Sequence, residues 1–179
     1  MQRVFFMLKP LGRWLAPFAA LTAIFAASAA PAGDLGLPAG PVVLAVEGRI
    51  ANTNTQGAAI FDEAMLEAMP RHRIETSTPW TDGRKVFEGV RLSDILDLVG
   101  IGTARALRLV ALNEYENVIE VSDAATYGVL LAMRMDGKAL GRRNKGPIWI
   151  VYPRDDFVEL QDERRDARWV WQLSRIEVR

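Results

Sequence analysis

The sequence predicts an α+β fold with mixed, mostly antiparallel sheets and short helices. First, short runs of β-branched and aromatic residues recur along the chain, and such runs favour strands. Second, the helical patterns are short and scattered, and they do not alternate one for one with the strands. Third, Asp136-Gly137 lies between two apolar runs, which is a strong signal for a tight turn between paired strands.

The first elements follow from local patterns. The continuous apolar run at residues 42–46 predicts a strand, and the polar residues 52–57 predict a turn. Residues 61–69 carry apolar side chains at helical spacing behind two acidic residues, which suit the start of a helix. We therefore expect a helix over 61–69 that ends at Pro70.

Two strands and a helix are expected next. Residues 71–78 and 85–90 have strand-like composition. Ser93 stands before a short amphipathic run, residues 94–99, where its hydroxyl would cap a helix. Gly100 follows this run and is suited to ending the helix in a left-handed conformation.

The middle of the chain predicts a pair of strands around a polar turn. Residues 106–112 and 117–121 are the strands, and residues 113–116 are the turn. Ser122 is expected to cap a short helix. Residues 129–133 then predict another apolar strand.

The C-terminal part predicts two strands with a charged excursion between them. Residues 148–152 form a buried apolar strand, and residues 168–178 alternate in character as a final strand. Trp169 and Trp171 would face one side of that strand, as core residues. The segment 152–166 carries many charges of both signs. This segment is predicted to be a solvated loop; the alternative interpretation is a docking surface for a partner protein.

The N-terminus has the layout of a secretory signal peptide. Arg3, Lys9 and Arg13 form a positive region before the uncharged, Ala-rich residues 14–30, which end in small residues suited to signal peptidase. An uncleaved membrane anchor is the alternative, but the run is short and weakly apolar for a span of about 20 residues.

The predicted organisation is therefore a signal peptide at residues 1–32, a flexible lead-in at 33–41 rich in Pro, Gly and Ala, and one domain at 42–179. We expect the mature protein in the periplasm or secreted. No later segment is long and apolar enough to cross a membrane.

Composition excludes several functions. Cleavage of the signal peptide would remove Arg3, Lys9 and Arg13 and leave 22 − 3 = 19 Lys and Arg residues. With 22 Asp and Glu residues, the mature chain would have a net charge near −3. This charge argues against nucleic acid or an anionic membrane as partner. The chain has no cysteine, which removes disulfides, thiolate nucleophiles and Cys-based metal sites.

His72 is the one histidine, so multi-histidine metal sites are excluded. A His72–Ser77 hydrolytic pair is an alternative that the sequence leaves open. No Gly-x-Ser-x-Gly motif supports it, however. A structural or cavity-lining histidine is the preferred interpretation.

Several motifs together resemble the molybdopterin-binding domain of the sulfite oxidase family. The resemblance covers about residues 42–179, and its order and spacing are more specific than any single piece. The motifs are Phe87-Glu88-Gly89-Val90 with Leu92-Ser93-Asp94-Ile95-Leu96, residues 130–137 (LLAMRMDG), Asn144-Lys145-Gly146-Pro147, and Trp169-Val170-Trp171 with Ile176-Glu177-Val178.

The departures from the family pattern are also informative. The resemblance implies that the metal-binding cysteine would fall on residues 75–80, which are Glu75-Thr76-Ser77-Thr78-Pro79-Trp80 and include a hydroxyl side chain at 76 or 77 near the metal position. A neutral hydroxyl is a poor molybdenum ligand compared with a thiolate. The family's phosphate-holding arginine falls on Trp149. The resemblance thus implies a pterin or molybdopterin-like ligand, with no metal expected.

Within this family, the chain is similar to a group of small, exported, cysteine-less proteins. Some members of that group bind simple pterins and control a membrane enzyme that makes or degrades cyclic di-GMP, through the periplasmic region of that enzyme. The resemblance therefore implies a ligand-dependent regulator acting through a protein partner.

A pterin ring requires an aromatic face and polar groups along its edge. Trp80 could supply the face, and the Glu116 carboxylate could accept two hydrogen bonds from a 2-aminopyrimidine edge. A loop aromatic folded on the core and an exposed hairpin loop are the plain alternatives. The candidate ligand-binding residues are Thr76, Ser77, Trp80, Asn113, Tyr115, Glu116, Arg134, Arg143, Asn144 and Lys145.

Two other functions remain open at this stage. One is a molybdopterin-dependent oxidoreductase with an atypical cysteine-free site, and the other is a partner-binding scaffold without a ligand. No catalytic residue and no metal ligand is predicted. Arg134 has a second interpretation, as the ion-pair partner of an acidic residue between 155 and 166.

Overall fold

Short strands and shorter helices make up the domain. The computed structural model describes Met1 and residues 35–179. The strands in these residues are β1 Val42–Gly48, β2 Ala58–Asp62, β3 His72–Ser77, β4 Arg84–Arg91, β5 Ala106–Ala111, β6 Glu116–Glu120, β7 Leu130–Met135, β8 Lys138–Ala139, β9 Trp149–Val151 and β10 Leu173–Val178. The helices are α1 Glu63–Glu67, α2 Leu92–Val99 and α3 Val121–Tyr127, followed by two 3₁₀ helices, Val158–Gln161 and Glu163–Arg168.

The strands pair into two five-stranded sheets. The first has the order β2-β1-β10-β5-β6, and the second has the order β3-β4-β7-β8 with β9 also paired to β7. Strands β1 and β10 are parallel, while the other pairs of these two sheets are antiparallel. The predicted α+β class with mixed, mostly antiparallel sheets is therefore confirmed.

One apolar core joins the two sheets. Leu44 and Leu109 of the first sheet, Phe87 and Ile150 of the second, and Ile95 of α2 all belong to it and are fully buried. The apolar runs that predicted the strands are the source of these side chains. Burying them provides the main stabilisation of a domain that has no disulfide.

The Asp136-Gly137 turn is confirmed. Both residues have positive φ, 49° and 75°, as the two central residues of a hairpin turn require. The turn joins β7 to β8, and the Asp136 side chain accepts a hydrogen bond from the Val86 amide at 3.0 Å. The carboxylate therefore ties the hairpin back to β4.

The helix predicted over residues 61–69 was wrong at its start. Residues 58–62 are strand β2, and α1 covers only Glu63–Glu67. Asp62 is the residue that caps α1, because its Oδ1 accepts from the Met65 amide at 2.8 Å. Phe61 is buried as a strand residue, since pairing with β1 overrides its helical spacing.

The two predicted serine caps were also wrong. Helix α2 begins at Leu92 after Arg91, and α3 begins at Val121 after Glu120, without a capping side chain in either case. Each serine lies inside its helix and donates its hydroxyl to a neighbouring carboxylate, at Asp94 and Glu120. Gly100 does end α2 in the left-handed conformation, as predicted.

The final strand is shorter than predicted, because residues 168–172 do not belong to it. The 3₁₀ helix ends at Arg168, and β10 begins at Leu173 after Gln172, which has φ of 53°. Trp169 and Trp171 therefore do not share a strand face. Trp169 is buried, whereas Trp171 is half-buried.

The predicted signal peptide, residues 1–32, lies outside the described residues except for Met1, as do residues 33–34 of the lead-in. Further along the lead-in, the amides of Ala39 and Gly40 donate to Asp62 Oδ2. Within residues 35–179, no helix is long and apolar enough to cross a membrane.

Candidate functional site

Four tryptophans meet at one end of the second sheet, and we call them the tryptophan cluster: Trp80, Trp149, Trp169 and Trp171. The Trp80 ring centroid lies 5.3 Å from that of Trp171, 6.1 Å from Trp169 and 6.4 Å from Trp149. Edge-on and tilted contacts at these distances are favourable for aromatic rings. Trp80 is half-buried, so the loop after β3 presents its ring to the core and to solvent together.

The loop before β9 places a cation against this cluster. The Lys145 ammonium lies 5.3 Å from the ring centroid of Trp149 and 5.8 Å from that of Trp171. Lys145 has a positive φ of 65°, and its carbonyl accepts from the Gln172 amide at 2.9 Å. Arg143 and Asn144 belong to the same loop and are exposed. Of the three predicted loop residues, Lys145 therefore joins the cluster directly.

A cavity of about 220 Å³ lies beside the cluster. Its walls are Asn113, Tyr115, Asp166, Ala167, Trp169 and Trp171. The Tyr115 hydroxyl donates to the Ala167 carbonyl at 3.2 Å, and the Tyr115 amide donates to Asn113 Oδ1 at 3.1 Å. These bonds hold the loop between β5 and β6 against the second 3₁₀ helix. The cavity is a small aromatic cleft with polar groups at its rim.

Asp166 is a cavity-lining residue that sequence reasoning missed. Its Oδ1 is buried and has no hydrogen-bond partner among the described residues. Burial raises the pKa of this carboxyl above its ordinary value, although the charge of Arg154 acts in the opposite direction. The sequence offered only its place in the charged segment 152–166, which gave no reason to separate it from its solvated neighbours.

Glu116 does not line the cavity. Its carboxylate accepts a hydrogen bond from the Arg108 guanidinium, which also donates to Glu177 at 3.0 Å. These two carboxylates raise the pKa of Arg108. Residues 108, 116 and 177 lie on neighbouring strands of the first sheet, so Glu116 is held in an ion-pair network on that sheet.

Thr76 and Ser77 both bind the loop that follows β9. The Ser77 hydroxyl and amide donate to the two oxygens of the Asp155 carboxylate, at 2.5 and 2.8 Å. Thr76 is fully buried, and its Oγ1 accepts from the Asp155 amide at 3.1 Å while donating to the Ser77 carbonyl. Arg84 adds an ion pair to Asp155 at 3.5 Å. We call this arrangement the Asp155 clamp.

The Asp155 clamp predicts a defined pH dependence. Desolvation raises the pKa of Asp155, but the Ser77 hydrogen bonds and the charges of Arg84 and Arg154 outweigh it, so the pKa lies below 3.8. We expect Asp155→Asn to lower the free energy of unfolding by about 1–2 kcal/mol at neutral pH. Because the folded-state pKa is depressed, the difference between the two proteins should persist above about pH 5 and shrink as the pH falls below it.

The measurement is denaturant unfolding of both proteins from pH 7 to pH 3. Asp156→Asn is the matched control, because Asp156 is the exposed neighbour and should change stability little at any pH. A difference for Asp155→Asn that stayed constant down to pH 3 would contradict the depressed pKa.

Arg134 lies in a different cleft, lined among others by Leu66, Glu67 and Met133. Its guanidinium donates to the Gly137 carbonyl at 2.9 Å and lies 4.0 Å from Glu67. Its acidic partner is therefore Glu67 on α1, and the predicted alternative of a partner between residues 155 and 166 was wrong.

The hydrolytic pair is not assembled. Arg91 Nε donates to His72 Nδ1 at 3.2 Å, and His72 Nε2 lies 3.1 Å from Asp94 Oδ2. His72 and Ser77 are at opposite ends of β3, and Ser77 is bound to Asp155. His72 is a structural link between β3, β4 and α2.

Comparison with known families identifies the domain. Residues 63–159, more than half of the chain, match the family described as the oxidoreductase molybdopterin binding domain. The chain belongs to this family. No curated protein sequence matches the chain. The matched segment includes the Asp155 clamp, Trp80 and Lys145, and it ends before the 3₁₀ helix that carries Asp166.

Solved structures share the fold of this oxidoreductase molybdopterin binding domain. The crystal structure of the sulfane dehydrogenase SoxCD from Paracoccus pantotrophus is similar with a TM-score of 0.58 and 18% sequence identity. The similarity covers 75% of this chain and 37% of the SoxCD chain. The chain therefore spans well under half the length of that protein, and the likeness concerns the fold alone.

The residues do not fit a molybdenum held by a protein thiolate. The chain has no cysteine, and the Thr76 and Ser77 hydroxyls, in the segment where the family resemblance puts the metal ligand, are both engaged in the Asp155 clamp. Neutral hydroxyls are also poorer ligands for this metal than thiolate. Within residues 35–179, no group of three or more His, Asp or Glu side chains is placed to hold a metal ion.

The lining of the cavity suits a planar ring with polar edges. Trp169 and Trp171 supply aromatic walls, and Asn113 and Asp166 supply polar groups. The cavity is smaller than the roughly 300–1,000 Å³ of sites that enclose larger ligands. Trp149, at the position of the family's phosphate-holding arginine, is fully buried in the core. This position therefore supplies packing and no charge.

Proposed function

We propose that this domain is exported and binds a pterin-like ring in the cavity walled by Trp169 and Trp171. The observation that carries the proposal is an aromatic cavity, with a carboxyl and an amide in its wall, beside Trp80. Trp80 is the last residue of the segment, 75–80, on which the metal ligand of the family's enzymes would fall. A cysteine-free member with such a cavity can retain ring binding without the redox chemistry of a metal.

The proposal extends to a protein partner. The charged segment 152–166 begins next to the Asp155 clamp and ends at the cavity wall, where Asp166 lies. A ligand that contacts Asp166 and Ala167 therefore contacts the segment that also carries exposed charges. A ligand shifts a segment between two conformations when it contacts the segment more favourably in one conformation than in the other. The proposed partner is the periplasmic region of a membrane signalling protein, with a cyclic di-GMP enzyme as the candidate.

The first experiment uses mature protein purified from the periplasm. Molybdenum is measured by elemental mass spectrometry, and pterin by fluorescence after release. We expect pterin without molybdenum, or metal-free protein that binds added pterin. Molybdenum near one per chain would overturn the regulator and establish the oxidoreductase with a cysteine-free site. Absence of both metal and pterin affinity would leave a partner-binding scaffold.

The cavity assignment is tested with Trp171→Ala. Removing one aromatic wall should weaken pterin binding about tenfold or more, since stacking of a heterocycle on an aromatic side chain contributes about 1–3 kcal/mol. Calorimetric titration measures the effect. Val158→Ala is the control, because Val158 is exposed and lies outside the cavity lining. Equal affinity of wild type and Trp171→Ala would place the ligand elsewhere.

The partner is tested by photo-crosslinking in intact cells. A photoreactive amino acid replaces Val158, which lies in the charged segment 152–166. Position 37 is the matched control, since Leu37 and Val158 are both strongly exposed. We expect a membrane-protein adduct from position 158 alone, with a yield that changes with pterin supply. Equal adducts from both positions would contradict docking through this segment.

A further inference from the structure

Asp166 is the most unusual polar group in the cavity wall. It belongs to the second 3₁₀ helix, where its backbone carbonyl accepts from the Trp169 amide at 3.1 Å. Its side chain is half-buried, with Oδ1 fully enclosed and without a donor among the described residues. The other oxygen, Oδ2, also has no hydrogen-bond partner among the described residues but is not enclosed, so it is the oxygen that a donor in the cavity can reach. Desolvation of the carboxyl favours a ligand that supplies such a donor.

The neighbouring cations leave this carboxyl free. Arg154 donates to the Gln161 carbonyl at 3.0 Å, and among the described residues no ion pair within 4.0 Å joins it to Asp166. Arg165 and Arg168 are on the same 3₁₀ helix, but Arg168 donates to Asp123 at 2.8 Å. Arg154 Nε is itself buried and without a partner among the described residues. The cations therefore place charge near Asp166, but no hydrogen bond to its carboxylate forms within the described residues.

The charge and shape of the cavity also favour a particular kind of ligand. Trp171 forms one wall, and the Lys145 ammonium lies over its ring. This positive charge disfavours a cationic occupant at that wall. The flat apolar surfaces of Trp169 and Trp171 favour a planar ring. A neutral heteroaromatic ring with two adjacent N–H donors satisfies both conditions.

We propose that Asp166 is the specificity-determining residue of the cavity and reads the 2-amino edge of the ligand. Its accessible oxygen, Oδ2, accepts hydrogen bonds from the exocyclic amino group and from the ring N–H beside it, the donor pair of a 2-amino-4-oxopyrimidine ring. This inference rests on the proposed function. It replaces Glu116, which is held by Arg108, as the carboxylate in that role.

The test compares pterin with lumazine, which carries an oxo group in place of the 2-amino group. Both are titrated calorimetrically against the wild-type protein, Asp166→Asn and Glu163→Gln. The last is the matched control, because Glu163 is exposed on the same 3₁₀ helix and does not line the cavity. Asparagine keeps the size of the side chain, so the fold should be retained, and circular dichroism checks this.

We expect wild type and Glu163→Gln to bind pterin about tenfold to a hundredfold more tightly than lumazine. Asp166→Asn should lose most of that preference through weaker pterin binding. Wild-type protein that binds pterin and lumazine equally, or an Asp166→Asn variant that keeps the preference, would overturn the inference and leave the proposed function standing. Failure of wild type to bind either ring would overturn both.

Discussion

Replacing Gly89 with alanine is expected to destabilise the domain by about 3 kcal/mol or more, the upper end of overpacking effects. A Cβ at this position would lie 2.0 Å from the Leu131 carbonyl oxygen and 2.9 Å from its carbon. Both are backbone atoms of β7, so rotation of a side chain cannot relieve the clash. The register of β4 against β7 also shifts between Glu88 and Gly89, which brings the two backbones together there.

Chemical unfolding followed by far-ultraviolet circular dichroism measures this effect. Gly141→Ala is the matched control, since a Cβ there meets nothing within 4 Å and the substitution should be neutral or slightly stabilising. A Gly89→Ala protein within 1 kcal/mol of wild type would show that β4 and β7 can separate at little cost. The glycine of the Phe87-Glu88-Gly89-Val90 motif would then need another explanation.

Replacing Trp149 with alanine is expected to lower the free energy of unfolding by about 3–5 kcal/mol. The side chain is fully buried, and its ring contacts Phe87 at 5.3 Å and Trp169 at 6.3 Å between centroids. Its Nε1 donates to the Trp169 carbonyl at 3.3 Å. Alanine would remove the ring contacts and leave a large void beside Phe87 and Trp169.

Trp149→Phe should recover much of this loss, because a ring remains in the space. Val158→Ala is the surface control and should stay within about 0.5 kcal/mol of wild type. The same unfolding measurement applies to all three variants. A loss below 1 kcal/mol for Trp149→Ala would mean that the tryptophan cluster can collapse around the void.

The strands were predictable because their signal is local. Runs of strand-like composition indicated β1, β3, β4, β5, β6, β7 and β9 to within a few residues. The errors fell where tertiary pairing overrides a local pattern. Residues 58–61 pair with β1 instead of joining a helix, and residues 169–172 leave the last strand to build the cavity wall.

The candidate site was predictable in part. Trp80, Asn113, Tyr115 and Lys145 do come together around the tryptophan cluster and its cavity, although the first and last are 65 positions apart in the sequence. The individual contacts could not be predicted, because each joins distant segments. Tyr115 bonds to Ala167 across 52 positions, and Ser77 bonds to Asp155 across 78.

The sequence by itself determined the fold class, the Asp136-Gly137 turn and the absence of a thiolate, because each depends on residue type or on near neighbours. Only the tertiary structure decided which carboxylate faces the cavity. Glu116 and Asp166 are chemically equivalent in the sequence, but β-sheet pairing brings Arg108 to the first, while the 3₁₀ helix leaves one oxygen of the second buried without a donor. A carboxylate takes its role from the partners that folding provides, and those partners are distant in the chain.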